Sequence, residues 1–245
     1  MRGIKLSRWL ASPGKGPEKA LDLRKIHYLP GGSLIAVVVA TLIFLPGCNL
    51  TPISSNANAA SASILVSDGQ KRAQQGDYRG AIDSYDRAIA IDRANPEAHA
   101  HRGFARLGLG DAQGGESDLQ QALRLRIDEW SAMIARKPND VQTLLRRGLG
   151  YSDLGEYRAA IADYDRIVRL QPENAQAYYL RGNAKYQLGS QRAAIADYDR
   201  ALQLDPGLLP GYLARAKAHE VLGNHEAAAA DFKAAQRIVK NDQVH

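Results

Sequence analysis

The sequence predicts an all-α protein made of five helical hairpins repeated along the chain. Two observations carry that reading. Three segments repeat one wording: AIDSYDRAIAID at 81–92, AIADYDRIVRLQP at 160–172 and AIADYDRALQLDP at 194–206. One constant spacing separates Gly69 from Gly103, Gly148 from Gly182, Tyr164 from Tyr198 and Pro172 from Pro206. A fixed period of this kind is the mark of a repeat array, in which each unit buries its apolar face against its neighbours.

In register, the units span about 62–95, 96–129, 141–174, 175–208 and 209–242. The first helix of each carries a small residue: Gly69, Gly103, Gly148, Gly182 and Ala216. The second helix answers with Ala81, Gly115, Ala160, Ala194 and Ala228. Small side chains at both slots let two helix backbones approach where they cross. Four residues later a large side chain fills the remaining space: Tyr85, Leu119, Tyr164, Tyr198 and Phe232. Small residues return at Ala88, Ala122, Ala201 and Ala235, with Ile167 as the exception in the middle unit.

Between the helices stand Gly76, Gly110, Gly155, Gly189 and Gly223. Glycine there ends a helix in the left-handed conformation. The next residues are Asp77, Asp111, Glu156, Ser190 and Asn224. All but Glu156 are good acceptors for the first backbone N–H groups of the following helix.

This period and slot pattern resembles the tetratricopeptide repeat (TPR), over residues 62–242. The resemblance implies a right-handed superhelical solenoid of five hairpins whose first helices line a concave groove. In that family the groove holds an extended peptide or a partner helix. The matching slots here are Val66, Phe104, Leu145, Leu149, Tyr179, Asn183, Tyr186 and Lys217. Chaperone-binding members clamp a terminal carboxylate with Lys, Asn and Arg. Here only Asn183 and Lys217 suit that role, and Leu145 and Leu149 replace what the clamp needs. Capture of an acidic C-terminus is therefore not expected.

The period breaks once. Gly103 and Gly148 lie eleven residues further apart than the repeat requires. Eleven residues make three helical turns of about 3.67 residues, so an insertion of that size keeps an apolar face in line. Leu119 and Trp130, Ala122 and Met133, and Leu123 and Ile134 are such pairs. The expectation is one long helix from about Gly115 to Arg136, with an extension at about 130–140 projecting beyond the array.

A charge pattern follows the repeats. Arg102, Arg147, Arg181 and Arg215 precede the small residue of the first helix, and Asp118, Asp163, Asp197 and Asp231 precede the large one of the second. The first unit has Asp68 and Ser84 instead. An Arg–Asp pair is expected within each of units two to five, partly exposed and weak. A ladder of arginines that bind a ligand is the functional alternative.

Residues 1–48 read as an export signal or membrane anchor. Seven Lys/Arg and two acids give them +5 of the net +6 charge. The rest of the chain is nearly neutral, which argues against nucleic-acid binding. Leu34–Leu45, LIAVVVATLIFL, is twelve residues without a charge. A spanning helix needs roughly 20; twelve suits the core of a signal peptide. Leu45-Pro46-Gly47-Cys48 resembles a bacterial lipobox, which implies cleavage before Cys48 and a lipid on its sulfur, although Pro46 departs from the usual residue at its slot. Cleavage after Ala57-Asn58-Ala59 and an uncleaved anchor stay open. All three readings put the repeats on the extracytoplasmic or periplasmic side of a bacterial membrane. Residues 49–61 are rich in Ser, Ala and Asn and read as a flexible tether.

No catalytic, cofactor or metal pattern is present. His99 and His101 are two residues apart and point to different sides of a helix. HExxH, CxxC and phosphate-loop patterns are missing. The function expected is a membrane-tethered scaffold for protein or peptide partners, not an enzyme. The wording AIADYDRAL is similar to that of cyanobacterial repeat proteins. Two alternatives belong to other classes: an assembly chaperone for a membrane or envelope complex, and a regulator of a cell-wall enzyme. Ala227, Ala230, Ala234 and Ile238 on the last helix add an expectation of self-association through the C-terminal repeat.

Overall fold

The computed structural model describes residues 57–242, which form ten α-helices: α1 Ala57–Gln74, α2 Tyr78–Ile91, α3 Pro96–Gly108, α4 Ala112–Arg136, α5 Val141–Asp153, α6 Tyr157–Leu170, α7 Ala175–Gln187, α8 Gln191–Leu204, α9 Leu209–Val221 and α10 His225–Asp242. They pair in sequence order as five hairpins. The chain divides into two compact units within α4, between Arg126 and Ile127.

Each hairpin turns on a glycine at positive φ: 84° at Gly76, 85° at Gly110, 75° at Gly155, and 76° at both Gly189 and Gly223. Asp77 and Asp111 then cap α2 and α4, accepting from the N–H of Gly80 and Gly114 at 2.9 Å. Ser190 makes no such side-chain bond. The turn is closed by backbone instead: the Ser190 N–H reaches Lys185 O at 2.9 Å, as Glu156 reaches Tyr151 and Asn224 reaches His219. That long backward bond satisfies a helix-end carbonyl whatever side chain follows the glycine.

The small and large slots meet as their chemistry requires. Tyr85, Tyr164 and Tyr198 are buried over Gly69, Gly148 and Gly182. A Cβ added to Gly148 would lie 2.7 Å from Tyr164 Cε1, and one added to Gly182 2.6 Å from Tyr198 Cε1. Only glycine admits the ring at these crossings.

Two expectations about boundaries change. Residues 57–61, assigned to the tether, belong to α1. The stretch ANAASASI is rich in alanine, the best helix former, and Ala62 anchors it in the first core with Val66, Ala81 and Tyr85. Residues 49–56, like Cys48 and the apolar segment before it, lie outside the described residues. At the other boundary, residues 137–140 do not continue the helical extension. They form a turn after α4, where Pro138 has no N–H to offer a helical bond.

The long helix α4 has 25 residues, eleven more than α2, α6 or α8. Its added turns do not project into solvent. Ile127, Trp130 and Ile134 are buried. Ile127 and Trp130 pack against Gly150 of α5, each 3.1 Å from where its Cβ would be. Ile134 joins a core with Leu144, Ala160, Tyr164, Ile167 and Ala177. Apolar side chains kept in phase over eleven residues found the next hairpin to bury against.

Candidate partner-binding surface

The ion pairs decide which charges a partner can meet. Arg102, Arg181 and Arg215 each grip the aspartate sixteen residues onward with two nitrogens. The bonds are 2.8 and 2.6 Å to Asp118, 2.9 and 2.6 Å to Asp197, and 2.9 and 2.6 Å to Asp231. Arg147 does the same to Asp163. The third nitrogen of Arg102, Arg181 and Arg215 reaches sixteen residues back, into the preceding helix, at Asp86, Asp165 and Asp199. The pairs are more buried than expected on the aspartate side, while the arginine side chains stay 15–21% exposed. The aspartates sixteen residues onward have side chains only 2–7% exposed. Bidentate geometry satisfies both carboxylate oxygens at once.

A tyrosine ring covers three of the guanidiniums: Tyr151 at 5.7 Å from Arg147, Tyr178 at 5.2 Å from Arg181 and Tyr212 at 5.7 Å from Arg215. The hydrogen bond to Asp118 raises the Arg102 pKa, and that to Asp163 raises Arg147. Burial pushes Asp118 up, yet bonds from His99 and Arg102 hold it below the usual carboxylate value. In the first hairpin Asp68 and Ser84 still bond each other, at 2.7 Å.

The residues expected to line a groove fall into two sets. Val66 and Phe104 lie in the first unit. Val66 is a core residue, 4% exposed among Ala62, Ala81 and Tyr85, and so is removed from any binding surface. The small side chains of Ala62 and Ala81 leave it room inside the hairpin. Phe104 is half-buried on α3.

The other six lie in the second unit. Leu145 and Leu149 stand one turn apart on α5, both half-buried, with Leu145 against the third hairpin's core. Tyr179, Asn183 and Tyr186 follow one face of α7. Both tyrosines rest against the cluster of Ala194, Tyr198 and Ala218, and Tyr179 is tilted 44° to the Tyr198 ring at 6.2 Å. Tyr198 donates its hydroxyl to Asn183 Oδ1 at 2.9 Å. Lys217 is exposed on α9, and α7 and α9 touch directly.

One member escaped the sequence reading. Leu213 is 39% exposed on α9. It stands one repeat period after Tyr179 and one turn before Lys217. The period alone could have found it. With it, the face reads Leu145, Tyr179 and Leu213 in one row and Leu149, Asn183 and Lys217 in the next.

The two histidines of α3 take structural positions. His99 is buried, with Nε2 3.1 Å from Arg93 O. His101 stacks on Tyr85 at 5.7 Å with its Nε2 2.6 Å from Gln70 Nε2, and burial lowers its pKa to about 4. Among the described residues, no cluster of His, Cys, Asp and Glu could hold a metal ion. Among the same residues, no helix is long and apolar enough to cross a membrane.

Residues 145–208 match a family described as tetratricopeptide repeat, and residues 69–110 match one described as TPR repeat. These hairpins are tetratricopeptide repeats. The two TPR matches cover the turn glycines Gly76, Gly110, Gly155 and Gly189 and the glycine–tyrosine crossings at Gly69, Gly148 and Gly182. Solved structures similar to this chain include a crystal structure of MamA (23% identity, 72% of this chain and 97% of that chain, TM-score 0.46). Another MamA crystal structure has 23% identity over 76% of this chain and 95% of that one, with a TM-score of 0.48. MamA from residue 41 onward, of Desulfovibrio magneticus RS-1, has 20% identity over 77% and 98%, with a TM-score of 0.47. No curated protein matches the chain.

Proposed function

We propose that this TPR protein is a membrane-tethered scaffold. It holds a partner peptide or helix along its first-helix face, on the extracytoplasmic side of a bacterial membrane, and carries out no catalysis of its own. The observation that carries the reading is the division of labour between charged and uncharged side chains. The arginines are held by buried carboxylates, so they are not offered to a polyanion or an acidic tail. What faces outward is Leu145, Leu149, Tyr179, Tyr186 and Leu213 with Asn183 and Lys217 among them. Asn183 is fixed through its carbonyl by Tyr198, which leaves its amide N–H groups to donate to a partner's backbone. Half-buried aromatic and aliphatic side chains held by a core suit partner anchoring, because little of their freedom is left to lose. The tether rests on the leader: a basic stretch, an apolar core of twelve residues and Cys48.

A crosslinking pull-down from membranes tests this, comparing the full chain with a Phe104→Ala, Leu149→Ala, Tyr179→Ala variant of unchanged helical content. The expected result is a discrete set of envelope proteins on the wild type that the variant loses. Equal capture by both overturns the surface assignment. Mass spectrometry of the N-terminal peptide tests the tether, with a diacylglycerol thioether on Cys48 as the expected product and an unmodified cysteine in the mature chain as the opposing one.

A further inference from the structure

The ion-pair ladder leaves the acids and cations of the second unit unequally matched. Its second helices carry Asp163 and Asp165 on α6, Asp197 and Asp199 on α8, and Asp231 on α10. Each of these carboxylates is bound to a first-helix arginine, Arg147, Arg181 or Arg215. The cations of the same second helices keep no counter-charge. Arg158 and Arg169 on α6, Arg192 and Arg200 on α8, and Lys233 and Arg237 on α10 are all exposed. Among the described residues, none of the six joins a salt bridge. Glu226, at the start of α10, is the exposed acid left beside them.

Spacings of three, four and seven residues set these cations in one stripe per helix. The stripes read Arg158, Ala162 and Arg169 on α6, Arg192, Ala196 and Arg200 on α8, and Ala230, Lys233 and Arg237 on α10. Arg192 stands one period after Arg158 and Ala196 one period after Ala162, so successive stripes repeat one facing. The slot inside each stripe is an exposed alanine: Ala162, Ala196 and Ala230. In α2 and α4 the same slot holds an exposed acid, Asp83 or Asp128. A face of one sign therefore begins at α6 and runs to α10.

Arginine and alanine in this arrangement suit a plane of anionic headgroups better than a protein. A protein interface builds its core from aromatic and aliphatic anchors and depletes charge there. The anchors of this unit, Tyr179 and Leu213, stand on the first helices instead. Alanine between the cations lets a flat surface come close, and long cationic side chains reach headgroup phosphates from it. Weak attraction is enough once an anchor holds the chain at the bilayer, because the second contact is then intramolecular.

We propose that the second unit rests the outward stripes of α6, α8 and α10 on an anionic lipid surface and leaves its first helices to a partner. This deepens the tethered-scaffold reading and rests on it.

The full chain, reconstituted in vesicles, tests it. One set is phosphatidylcholine, the other phosphatidylcholine with phosphatidylglycerol, and both carry an acceptor dye on a few headgroups. A donor dye is placed through Ala196→Cys on α8 or through Glu220→Cys on α9; the parent chain labelled in parallel gives the background from Cys48. Energy transfer from position 196 should rise about twofold on phosphatidylglycerol at low salt and fall back at about 0.5 M salt. Transfer from position 220 should not rise. A variant with Arg158→Gln, Arg192→Gln and Arg200→Gln should lose the rise and keep its helical spectrum. No rise in the wild type, or a rise that survives in this variant, overturns the proposal. So does binding of polyglutamate without any rise on lipid, which would make the face a protein site. Flotation separates the two readings. A chain that does not float with phosphatidylcholine vesicles has no working tether, and flotation with phosphatidylglycerol vesicles alone, lost in the glutamine variant, still supports the lipid face.

Discussion

Arg147 donates to Ser131 Oγ at 3.1 Å, where Arg102, Arg181 and Arg215 meet an aspartate at 2.6–2.8 Å. Ser131 stands in that slot only because eleven residues were inserted into α4. Without them the slot would fall to Gln120. The insertion moves the slot three whole turns along one helix and keeps its facing. The charge is lost there, and the hydrogen bond is kept.

Asp163 and Ser131 should therefore differ sharply on truncation. Asp163 is 2% exposed and carries two of Arg147's bonds. Asp163→Ala leaves a part-buried guanidinium without its main counter-charge and should destabilise by about 3–5 kcal/mol. Ser131→Ala removes one neutral-to-charged bond and should take about 1–2 kcal/mol. Urea unfolding midpoints would show the order, and equal losses would contradict it.

Trp130 is 1% exposed and packs on Gly150. Trp130→Ala should cost about 3–5 kcal/mol, since the cavity it leaves is bounded by helix backbone that cannot collapse. A projecting helix end would have shown almost no loss. Thermal melting followed by circular dichroism distinguishes the two.

The glycines separate two physical causes. Gly148→Ala drives a methyl to 2.7 Å from Tyr164; overpacking of roughly 1–3 kcal/mol should exceed the gain of about 1 kcal/mol in helix propensity. Gly76→Ala meets no atom within 4 Å, and its loss of roughly 1 kcal/mol should come from the +84° φ alone. Replacing Tyr164 with leucine should reduce the first penalty and leave the second untouched, as chemical denaturation of the double variants would record.

Asp153 gives stability an unusual pH slope. Burial pushes its carboxyl from 3.8 to about 7, and Oδ2 has no hydrogen-bond partner. The folded chain therefore holds this proton more tightly than the unfolded one. The contribution is fully present below about pH 4 and is lost as pH rises through about 7. Asp153→Asn should be more stable than wild type at pH 8, with the advantage shrinking toward pH 4. Melting temperatures across that range test it; an advantage independent of pH would exclude the carboxyl as its source.

His101 acts in the opposite sense. Its pKa falls from 6.5 to about 4 by burial, so the unfolded chain takes the proton first. Its contribution is present above pH 6.5 and is lost as pH falls toward 4. His101→Phe, which keeps a ring over Tyr85, should flatten the acid limb of stability between those values in the same melting series.

The hairpins, the turn glycines and the small-to-large crossings were legible in the sequence because each answers a local demand that recurs with every repeat. A left-handed turn needs glycine, and two helices crossing closely need small side chains, wherever they occur. Of the candidate surface, the slots carried over from the tetratricopeptide resemblance gave Leu145, Leu149, Tyr179, Asn183 and Lys217, and the period added to them would have given Leu213. Tertiary structure alone decided the rest. Val66 is buried and Trp130 is covered because of the helix that packs over each, and a period does not show which neighbour arrives. The third arginine bond, to Asp86, Ser131, Asp165 or Asp199, joins successive hairpins. It exists only once helices from two different hairpins come within hydrogen-bonding reach, and that approach depends on how whole hairpins stack, which no single repeat encodes.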